Sequence, residues 1–518
     1  MFRQARQDSG LLPGLMAAAS GVLLTLALPP AGLWPAALAL TVLFVMTAQA
    51  GGFRRAFSLG FWFGAGFFSL HLLWLPASLS QPDWFGPFFW LLYPPLLLLL
   101  ATFWGLATGL ARVAGGQGRG TLLLLPAAWV LTELLRHLGY FAFPWGTLGY
   151  MWLDTPVAQY ADVLGVNGLS LLTVTVAALL ATPFVAPVNR PRRDLGRLVA
   201  PLSGIVLLGA LWFTGNLRLV EQAADTHTAL LVQPNLDPFG RLGTPSGDLQ
   251  IQTRLTAEAV AGLADAPDLV VWPEGSVIGL EVEGPAGSAV RGTIQESAPS
   301  SALIIGGRGR SDRGSHNRAW LLEDARISAS YDKTVLVPFG ETWPFMNSLE
   351  GLYRSVFGLL RIGMLENTVA GNDRSPLPVR ADEPFEAGIY ICYESVFPQV
   401  TADAVRNGAG VLVTITNDAW FARGNGARQH FDMGRMRAIE TRRMILRSGL
   451  DGITGVVDVN GTTVAELPRN VASTLLAGFT PSDDLTIYVR YGGLLIWLLL
   501  GWIVVGTAGR FVLYGLSD

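Results

Sequence analysis

The chain has 518 residues, enough for more than one domain. Hydrophobic residues make up 51% of it and charged residues only 14%, a balance typical of proteins embedded in a bilayer and not of soluble proteins. The net charge of -3 gives no reason to expect nucleic-acid binding, and one cysteine with five scattered histidines excludes a thiolate zinc site. We therefore expect no metal, no other cofactor and no nucleic acid.

Apolar segments of about 20 residues, the length that crosses a bilayer, predict about eight spans. They lie near 11–28, 33–50, 57–75, 87–110, 121–137, 163–186, 199–215 and 492–514. Residues 1–219 would form a multi-pass α-helical membrane domain with seven spans, and 489–518 would hold the last one. The first apolar run follows basic residues, as in a signal peptide, but a second span comes almost at once, which favours a retained anchor.

The distribution of arginine predicts the orientation of these spans. With the N-terminus in the cytoplasm, the short outer loops hold almost no arginine, whereas the cytoplasmic segments hold many arginines. These are Arg3, Arg6, Arg54, Arg55, Arg112, Arg119, Arg190, Arg192, Arg193, Arg197 and Arg510. Arg136 is the exception, and Glu133 lies one helical turn before it, where the two side chains can pair. Residues 220–488 are thus predicted outside the cytoplasm.

Residues 220–488 have the pattern of an α/β domain, because short β-branched runs alternate with helical ones. The predicted strands are Thr228–Gln233, Leu269–Trp272, Ala302–Gly306, Gly388–Cys392, Val411–Thr416 and Gly455–Val459. Helical patterns cover Leu249–Leu263 and Gln429–Met444. The glycine-rich piece Gly306–Gly309 is interpreted as a turn. This pattern predicts a layered sheet covered by helices.

Three polar residues in this domain lie at or near strand-like runs. Glu274 and Cys392 end such runs, and Lys333 precedes one. Loops converge at strand ends in α/β folds, so these residues are expected at one rim. Cys392 is the only cysteine and Lys333 the only lysine, and an ammonium can do chemistry that a guanidinium cannot.

Together the three residues make chemical sense, although each alone is a weak signal. A thiol needs a base to become a nucleophile, and a carboxylate can be that base. An ammonium can stabilise the oxyanion of a tetrahedral intermediate. No histidine accompanies Cys392 in the sequence, and this arrangement requires none.

The Glu-Lys-Cys arrangement resembles the nitrilase superfamily, and the spans narrow the resemblance to the apolipoprotein N-acyltransferases. It covers nearly the whole chain. The matching segments are Phe143-Pro144-Trp145, Leu148-Gly149-Tyr150, Leu164-Gly165-Val166-Asn167-Gly168, Trp272-Pro273-Glu274, Val337-Pro338-Phe339-Gly340-Glu341, Cys392-Tyr393-Glu394, Asn417-Asp418-Ala419-Trp420-Phe421, Gln429-His430-Phe431, Arg435-Met436-Arg437-Ala438 and Tyr488-Val489-Arg490-Tyr491. The resemblance implies a nitrilase-like αββα sandwich for residues 220–488, beside the helical membrane domain.

The same resemblance implies roles for the site residues. Glu274 would be the general base, Lys333 the oxyanion stabiliser and Cys392 the nucleophile. Glu341 would orient Lys333 or the base, while Tyr393 and Glu394 would hold the nucleophile loop. For Glu394 an equally good interpretation is a carboxylate at the N-terminus of a helix that begins near Ser395.

The implied reaction is acyl transfer in the bacterial cytoplasmic (inner) membrane, with the catalytic domain on the periplasmic side. A phospholipid would acylate Cys392, and the N-terminal amine of a diacylglyceryl-modified apolipoprotein would take the acyl chain from the thioester. An apolar stretch after Glu341 is interpreted as a lid that dips into the outer leaflet, with an ordinary packed helix as the alternative. Its lipid-facing residues would include Phe345, Leu352, Phe357 and Leu360.

Two other functions stay open at this point. A membrane-tethered nitrilase-type amidase would hydrolyse a small amide and would need a closed polar pocket. A transporter or scaffold would need charges along the spans, where the sequence offers little beyond Glu133 and Arg136. The chain departs from the expected family pattern at Phe239, Ala422, Leu450 and Asp451.

Overall fold

The computed structural model describes residues 11–79, 89–186, 194–221, 223–236, 243–360, 367–421 and 424–514. The chain divides into two compact units at Leu219/Val220 and again at Arg490/Tyr491, and the short segment Gly139–Phe141 groups with the second unit. Each unit is described below by itself.

The described α-helices fall at similar places to the apolar and helical patterns of the sequence. In chain order they are α1 (Leu11–Leu24), α2 (Leu38–Ala48), α3 (Phe53–His71), α4 (Trp74–Leu79), α5 (Phe89–Gly115), α6 (Arg119–Leu135), α7 (Ala161–Ala181), α8 (Gly196–Asn216), α9 (Pro245–Ala261), α10 (Ser288–Glu296), α11 (Met346–Leu360), α12 (Pro398–Arg406), α13 (Gly426–Thr441), α14 (Ile487–Tyr491) and α15 (Leu495–Tyr514).

A helix covers each of the predicted spans in the first unit. Within the described residues, four helical segments are long and apolar enough to cross a membrane: Phe89–Gly115, Pro156–Phe184, Gly196–Asn216 and Ile487–Gly509. The segments Leu11–Ala27 and Trp34–Ala48 are apolar but shorter. The helical character of this region is therefore confirmed, and the count of about eight spans stays a prediction.

Glycines let α1 and α3 pack with their backbones in close contact. A Cβ atom added at Gly21 would lie 1.9 Å from the carbonyl oxygen of Phe63, and one at Gly66 would lie 2.1 Å from that of Ala18. Small residues at such crossings are typical of helices in membranes, where association depends on close van der Waals packing.

The charged side chains at the end of α6 are buried and bind the segment that follows this helix. Glu133 Oε1 accepts hydrogen bonds from Trp129 Nε1 and from the Leu148 backbone N–H, both at 3.2 Å. Arg136 Nη1 donates to the carbonyl oxygen of Trp145 at 2.5 Å. Both residues thus hold the loop after α6 in place by hydrogen bonds to its backbone, which is a structural role within this unit.

The second unit contains two six-stranded sheets. The strands are β1 (His227–Gln233), β2 (Leu269–Val271), β3 (Ala302–Ser311), β4 (Gly314–Glu323), β5 (Arg326–Asp332), β6 (Leu377–Val379), β7 (Phe385–Ile391), β8 (Val411–Thr416), β9 (Ile445–Gly449), β10 (Gly455–Val457), β11 (Thr463–Glu466) and β12 (Ser473–Phe479). The strand orders are β12-β1-β2-β3-β4-β5 and β11-β10-β9-β8-β7-β6. Both sheets are mixed, with parallel pairs β1-β2-β3 and β7-β8-β9 at their centres.

The two sheets pack face to face, with helices outside. Because side chains alternate along a strand, one set from each sheet points into the shared core, including Val271 and Ile304 from the first sheet and Val413 from the second. The opposite face of the first sheet packs on Leu249 of α9 and Ile294 of α10. Helix α12 contacts β7, and α13 lies against α12. The predicted αββα sandwich is confirmed.

The interpretation of Gly306–Gly309 as a turn is wrong, because these residues lie inside β3. Their lack of side chains serves another purpose. A Cβ atom at Gly306 would lie 2.7 Å from the Pro273 carbonyl oxygen and 2.9 Å from the Glu274 Cα. Glycine inside a strand often marks such a close approach of a second backbone, and here it lets the Glu274 loop rest on β3.

Candidate active site

The three residues singled out from the sequence lie after strands of the two sheets. Lys333 directly follows β5 and Cys392 directly follows β7, while Glu274 comes shortly after β2. Lys333 Nζ lies 3.5 Å from Glu274 Oε1. The charges of both residues act on the Cys392 thiol, so the structure brings all three predicted residues together.

Lys333 is held between two carboxylates. Its ammonium lies 2.9 Å from Glu341 Oε1, closer than to Glu274, and its side chain is only 1% exposed. Burial disfavours the charged ammonium, but Glu341 and Glu274 outweigh that effect, so the pKa of Lys333 is raised and the side chain stays protonated. Lys333 lies at the end of a strand, and the two carboxylates allow its charge to be buried there.

Asn317 of β4 joins the same cluster, and sequence reasoning missed it. Its Nδ2 donates to Glu274 Oε1 and to Glu341 Oε1, both at 2.7 Å. Its carbonyl oxygen accepts from the Lys333 backbone N–H at 2.9 Å, because β4 pairs with β5. Asp324 and Ala325 form the turn between β4 and β5, and this hairpin places Asn317 opposite Lys333.

Two backbone N–H groups also hold the carboxylates of Glu274 and Glu341 in place. The Asn417 N–H, just after β8, donates to Glu274 Oε2 at 2.8 Å. The Val337 N–H donates to Glu341 Oε2 at 2.8 Å. Each carboxylate thus has one oxygen on a main-chain N–H group and the other on the Lys333–Asn317 pair. These bonds fix the orientation of both carboxylates.

Cys392 has an unusual backbone conformation and a protonated thiol. Its φ of 49° lies in the left-handed region, which few residues other than glycine adopt, and it opens the 3-10 turn Cys392–Val396. Burial raises the pKa of the thiol, the Glu274 carboxylate raises it further, and Lys333 only partly opposes them. The free site therefore holds a thiol and not a thiolate, and a base is needed for attack.

Glu394 connects the Cys392 loop with the loop after Lys333. Its Oε2 accepts from the Ile391 N–H at 2.7 Å, and its Oε1 accepts from the Thr334 N–H at 2.7 Å and the Val335 N–H at 3.1 Å. The Tyr331 hydroxyl also donates to this carboxylate. Burial raises the pKa of Glu394 above its usual value, and the N–H donors oppose this rise only in part. The bond to Ile391 lies within the Cys392 turn, whereas the other bonds reach Tyr331 of β5 and the loop after Lys333.

Tyr393 follows the nucleophile and is buried against the start of the next helix. Its ring lies 5.2 Å from that of Phe397, the residue before α12. Burial raises the pKa of its hydroxyl, so the side chain is neutral. Tyr393 thus packs the Cys392 turn onto the start of α12.

The proposed lid region presents apolar side chains to the outside of the second unit. Phe345 is 54% exposed and Leu352, in α11, is 58% exposed. The ring of Phe345 lies 5.4 Å from that of Tyr140, and Phe339 lies 5.9 Å from Phe141. The Phe357 and Leu360 side chains lie outside the part of the chain that the structure describes.

Comparisons with known proteins bear on both units. A family model described as the apolipoprotein N-acyltransferase N-terminal domain matches residues 20–179, and the carbon-nitrogen hydrolase model matches residues 229–483. An apolipoprotein N-acyltransferase from Allorhizobium ampelinum is 32% identical over 97% of both chains. The chain belongs to the apolipoprotein N-acyltransferase family. A relative from Azotobacter vinelandii with the same name is 32% identical over 95% of this chain and 94% of its own.

Membership of the apolipoprotein N-acyltransferase family favours acyl transfer over a simple amidase. The similarity to the relatives includes the helical first unit, which a carbon-nitrogen hydrolase domain alone would lack.

A comparison with solved structures matches an amidase from Nesterenkonia sp. The match covers 52% of this chain and 94% of the amidase chain, at 17% identity and a TM-score of 0.38.

Two of the departures from the expected apolipoprotein N-acyltransferase pattern, Phe239 and Ala422, lie outside the described residues. The other two lie beside the site. The Leu450 backbone N–H bonds to the carbonyl oxygen of Thr416 at 3.0 Å. Burial and the nearby charge of Asp418 raise the pKa of Asp451 to about 6, against the attraction of Arg469. A charged Asp451 therefore destabilises the fold at neutral pH.

Proposed function

We propose that this enzyme transfers an acyl chain from a membrane phospholipid to the N-terminal amine of S-diacylglyceryl-cysteine on apolipoproteins, through a thioester on Cys392. The observation that carries the proposal is the meeting of the only cysteine with the Lys333–Glu274 pair at the ends of the two sheets. A thiol, a fixed carboxylate and a fixed ammonium are the groups that covalent acyl transfer requires.

In the first half-reaction the Cys392 sulfur attacks the ester carbonyl carbon of the phospholipid. Glu274 takes the thiol proton, which the raised pKa of Cys392 makes necessary. The ammonium of Lys333 stabilises the oxyanion that forms. When the carbon–oxygen ester bond breaks, the protonated Glu274 gives its proton to the leaving alkoxide. A lysophospholipid departs and the thioester remains.

In the second half-reaction the free amine of the lipidated N-terminal cysteine attacks the thioester carbon. Glu274 takes a proton from the attacking nitrogen, and Lys333 again stabilises the oxyanion. The carbon–sulfur bond breaks, an amide forms, and the proton on Glu274 returns to the Cys392 sulfur. The enzyme is regenerated with no net change in its own protonation.

Glu341 and Asn317 are proposed to position this machinery without touching the substrate. Glu341 holds the Lys333 ammonium at 2.9 Å, and Asn317 bridges the two carboxylates. The amide also separates two negative groups that would otherwise repel each other. Glu394 holds the Cys392 and Lys333 loops at a fixed separation through its bonds to both.

Both proposed substrates are lipids, and the exposed apolar side chains near Glu341 support access from a bilayer. Phe345 and Leu352 expose apolar surface that would be costly in water and favourable in the outer leaflet. We place the chain in the bacterial inner membrane with residues 220–488 on the periplasmic side, from the arginine distribution. Reporter fusions after Arg193 and near Ser482 should report opposite sides, and the same side at both would contradict this orientation.

The proposed reaction is tested with purified enzyme, a phospholipid of one known acyl chain and a synthetic diacylglyceryl-cysteine peptide. The peptide should gain the mass of that acyl chain as an amide. A peptide with an acetylated N-terminus is the matched control and should gain nothing. Hydrolysis of phospholipid or of a small amide, without any transfer to the free-amine peptide, would favour a hydrolase and overturn the proposal.

A further inference from the structure

A second buried polar network lies behind the nucleophile and is centred on His430 of α13. The His430 side chain is buried, and its Nε2 lies 2.9 Å from the Cys392 carbonyl oxygen and 2.7 Å from Ser395 Oγ. Its Nδ1 lies 3.2 Å from both Asp418 Oδ1 and Arg447 Nη2. The proposed reaction uses none of these side chains, and no histidine lies near Cys392 along the sequence.

The contacts of His430 show which ring nitrogen carries a hydrogen. A carbonyl oxygen can only accept, so the contact with Cys392 requires a hydrogen on Nε2. A guanidinium can only donate, so Arg447 can donate to Nδ1 when the ring is neutral. A protonated ring would donate from Nδ1 to Asp418 and would still carry a hydrogen on Nε2. In both states Nε2–H therefore donates to the Cys392 carbonyl, and the rotatable Ser395 hydroxyl adapts to it.

The network is anchored to the second sheet at several points. Arg447, in β9, donates to both oxygens of Asp418 at 2.9 and 2.8 Å. Asp418 also accepts from Thr416 Oγ1 at 3.0 Å and from the Ile453 N–H at 3.2 Å. Phe421 packs on the His430 ring, with centroids 5.2 Å apart. The imidazole is thus held in one orientation by the elements around it.

We propose that His430 is a positioning residue for the nucleophile. The carbonyl that it holds belongs to Cys392, whose left-handed backbone is unfavourable for a residue with a side chain and persists only where its surroundings enforce it. Fixing this carbonyl fixes the peptide plane after Cys392, and with it the direction of the thiol toward Glu274 and Lys333. The inference rests on the proposed function in one respect, that Cys392 is the nucleophile.

Two substitutions of His430 separate this role from general packing. The amide nitrogen of His430→Gln reaches the place of Nε2 and can donate to the Cys392 carbonyl, whereas that of His430→Asn reaches only the place of Nδ1. Misplacing a reacting group by about 1 Å can cost roughly 10²-fold in rate. We therefore expect His430→Asn to slow both thioester formation and alkylation of the thiol by iodoacetamide about 10²-fold, and His430→Gln to restore most of both rates.

A spectroscopic label reads the hydrogen bond directly. Because Cys392 is the only cysteine, cysteine labelled with ¹³C at its carbonyl marks this one carbonyl in the whole chain. Its infrared band should move to higher frequency in His430→Asn and stay near the parent position in His430→Gln. Ser395→Ala, which removes the other partner of Nε2, should keep the parent band and near-parent alkylation.

These measurements have outcomes that decide the proposal. Equal rates in the Gln and Asn variants, whether both low or both normal, would overturn it, and so would an unshifted band in His430→Asn. If His430→Asn folds poorly in thermal unfolding, a shifted band in His430→Gln or Ser395→Ala would still contradict the assignment. Alkylation needs no lipid, so a parent enzyme that alkylates but never transfers an acyl chain would refute the proposed function and leave this inference standing.

Discussion

The two sheets of the sandwich supply the site in different ways. The first sheet brings charged and amide side chains, Glu274, Asn317 and Lys333, whose polar ends bond to one another and to Glu341. The second sheet brings a single neutral thiol on a strained turn, and two buried side chains hold the main chain of that turn: Glu394 accepts from the Ile391 N–H, and His430 contacts the Cys392 carbonyl oxygen. The first sheet thus provides the charged groups of the site, and the second sheet orients the thiol.

This difference predicts that substitutions on the two sides will affect activity and stability differently. A change among the side chains of the first sheet should alter chemistry more than stability, because those groups bond mainly to one another. A change among the buried acceptors of the second sheet should reduce stability and activity together, because it leaves main-chain donors unsatisfied in the interior. Substitutions on each side of the site test this difference.

The largest effect is expected for Cys392→Ala, which removes the proposed nucleophile. Both thioester formation and transfer to the lipopeptide should fall to background, while thermal unfolding stays close to that of the parent because the change is small. The assay follows acylated peptide by mass spectrometry. Full transfer activity in this variant would rule out the covalent route.

Lys333→Arg should come next, although it keeps the positive charge. A guanidinium is planar and wider than an ammonium, and the lysine is buried between Glu274 and Glu341. Loss of an oxyanion donor costs roughly 10²–10³ in rate, and we expect a loss of that size in both half-reactions. Single-turnover kinetics on folded protein is the measurement. Near-parent rates in both steps would make Lys333 a spectator.

Glu394→Gln and Glu341→Gln form a matched pair across the two sides of the site. Glu394 accepts main-chain donors at both oxygens, so its amide should lose about 1–3 kcal/mol of stability as well as activity. Glu341 faces Lys333 and one main-chain N–H, so its amide should lower activity with less loss of stability. Chemical unfolding and transfer rates, measured side by side, test the contrast. Equal destabilisation by both substitutions would remove it.

The smallest effect concerns Asp451, whose pKa is raised to about 6 by burial and Asp418. The folded state binds a proton more readily than the unfolded chain, so stability falls as pH rises from about 4 to about 6 and stays lower above that range. Asp451→Asn should therefore stabilise the protein by up to about 2 kcal/mol at pH 8 and have little effect near pH 4. Unfolding curves across this range decide it, and a benefit independent of pH would point to another cause.

The sequence was sufficient to predict the residues that follow apolar strands. Glu274 and Cys392 stood out because each ends a hydrophobic run, and Lys333 because it is the only lysine and precedes such a run. The alternation of strands and helices predicted a layered sheet covered by helices, and the family resemblance implied the αββα sandwich. Asn317 was missed because β4 begins with polar residues, which weakens the strand signal, and its role depends on pairing with β5. The pairing of strands is a property of the fold and not of local sequence.

His430 shows a second limit of sequence reasoning. It stands 38 positions from Cys392 along the chain, and only the packing of α13 behind the nucleophile turn brings the two together. The interpretation of Gly306–Gly309 as a turn was wrong for a related reason. A glycine-rich run indicates a turn unless a second backbone is known to approach it. Local patterns predicted the charged side of the site better than the buried contacts that orient the thiol.

A thioester on Cys392 can be detected by intact-mass analysis of the enzyme after incubation with a phospholipid of one known acyl chain and no acceptor. We predict a gain of one acyl chain that maps to the peptide containing Cys392 and is removed by neutral hydroxylamine, as a thioester is. Addition of the diacylated peptide should discharge it at the rate of amide formation. Amide formation without any adduct on Cys392, or an adduct elsewhere in the chain, would rule out a thioester on Cys392 as the intermediate.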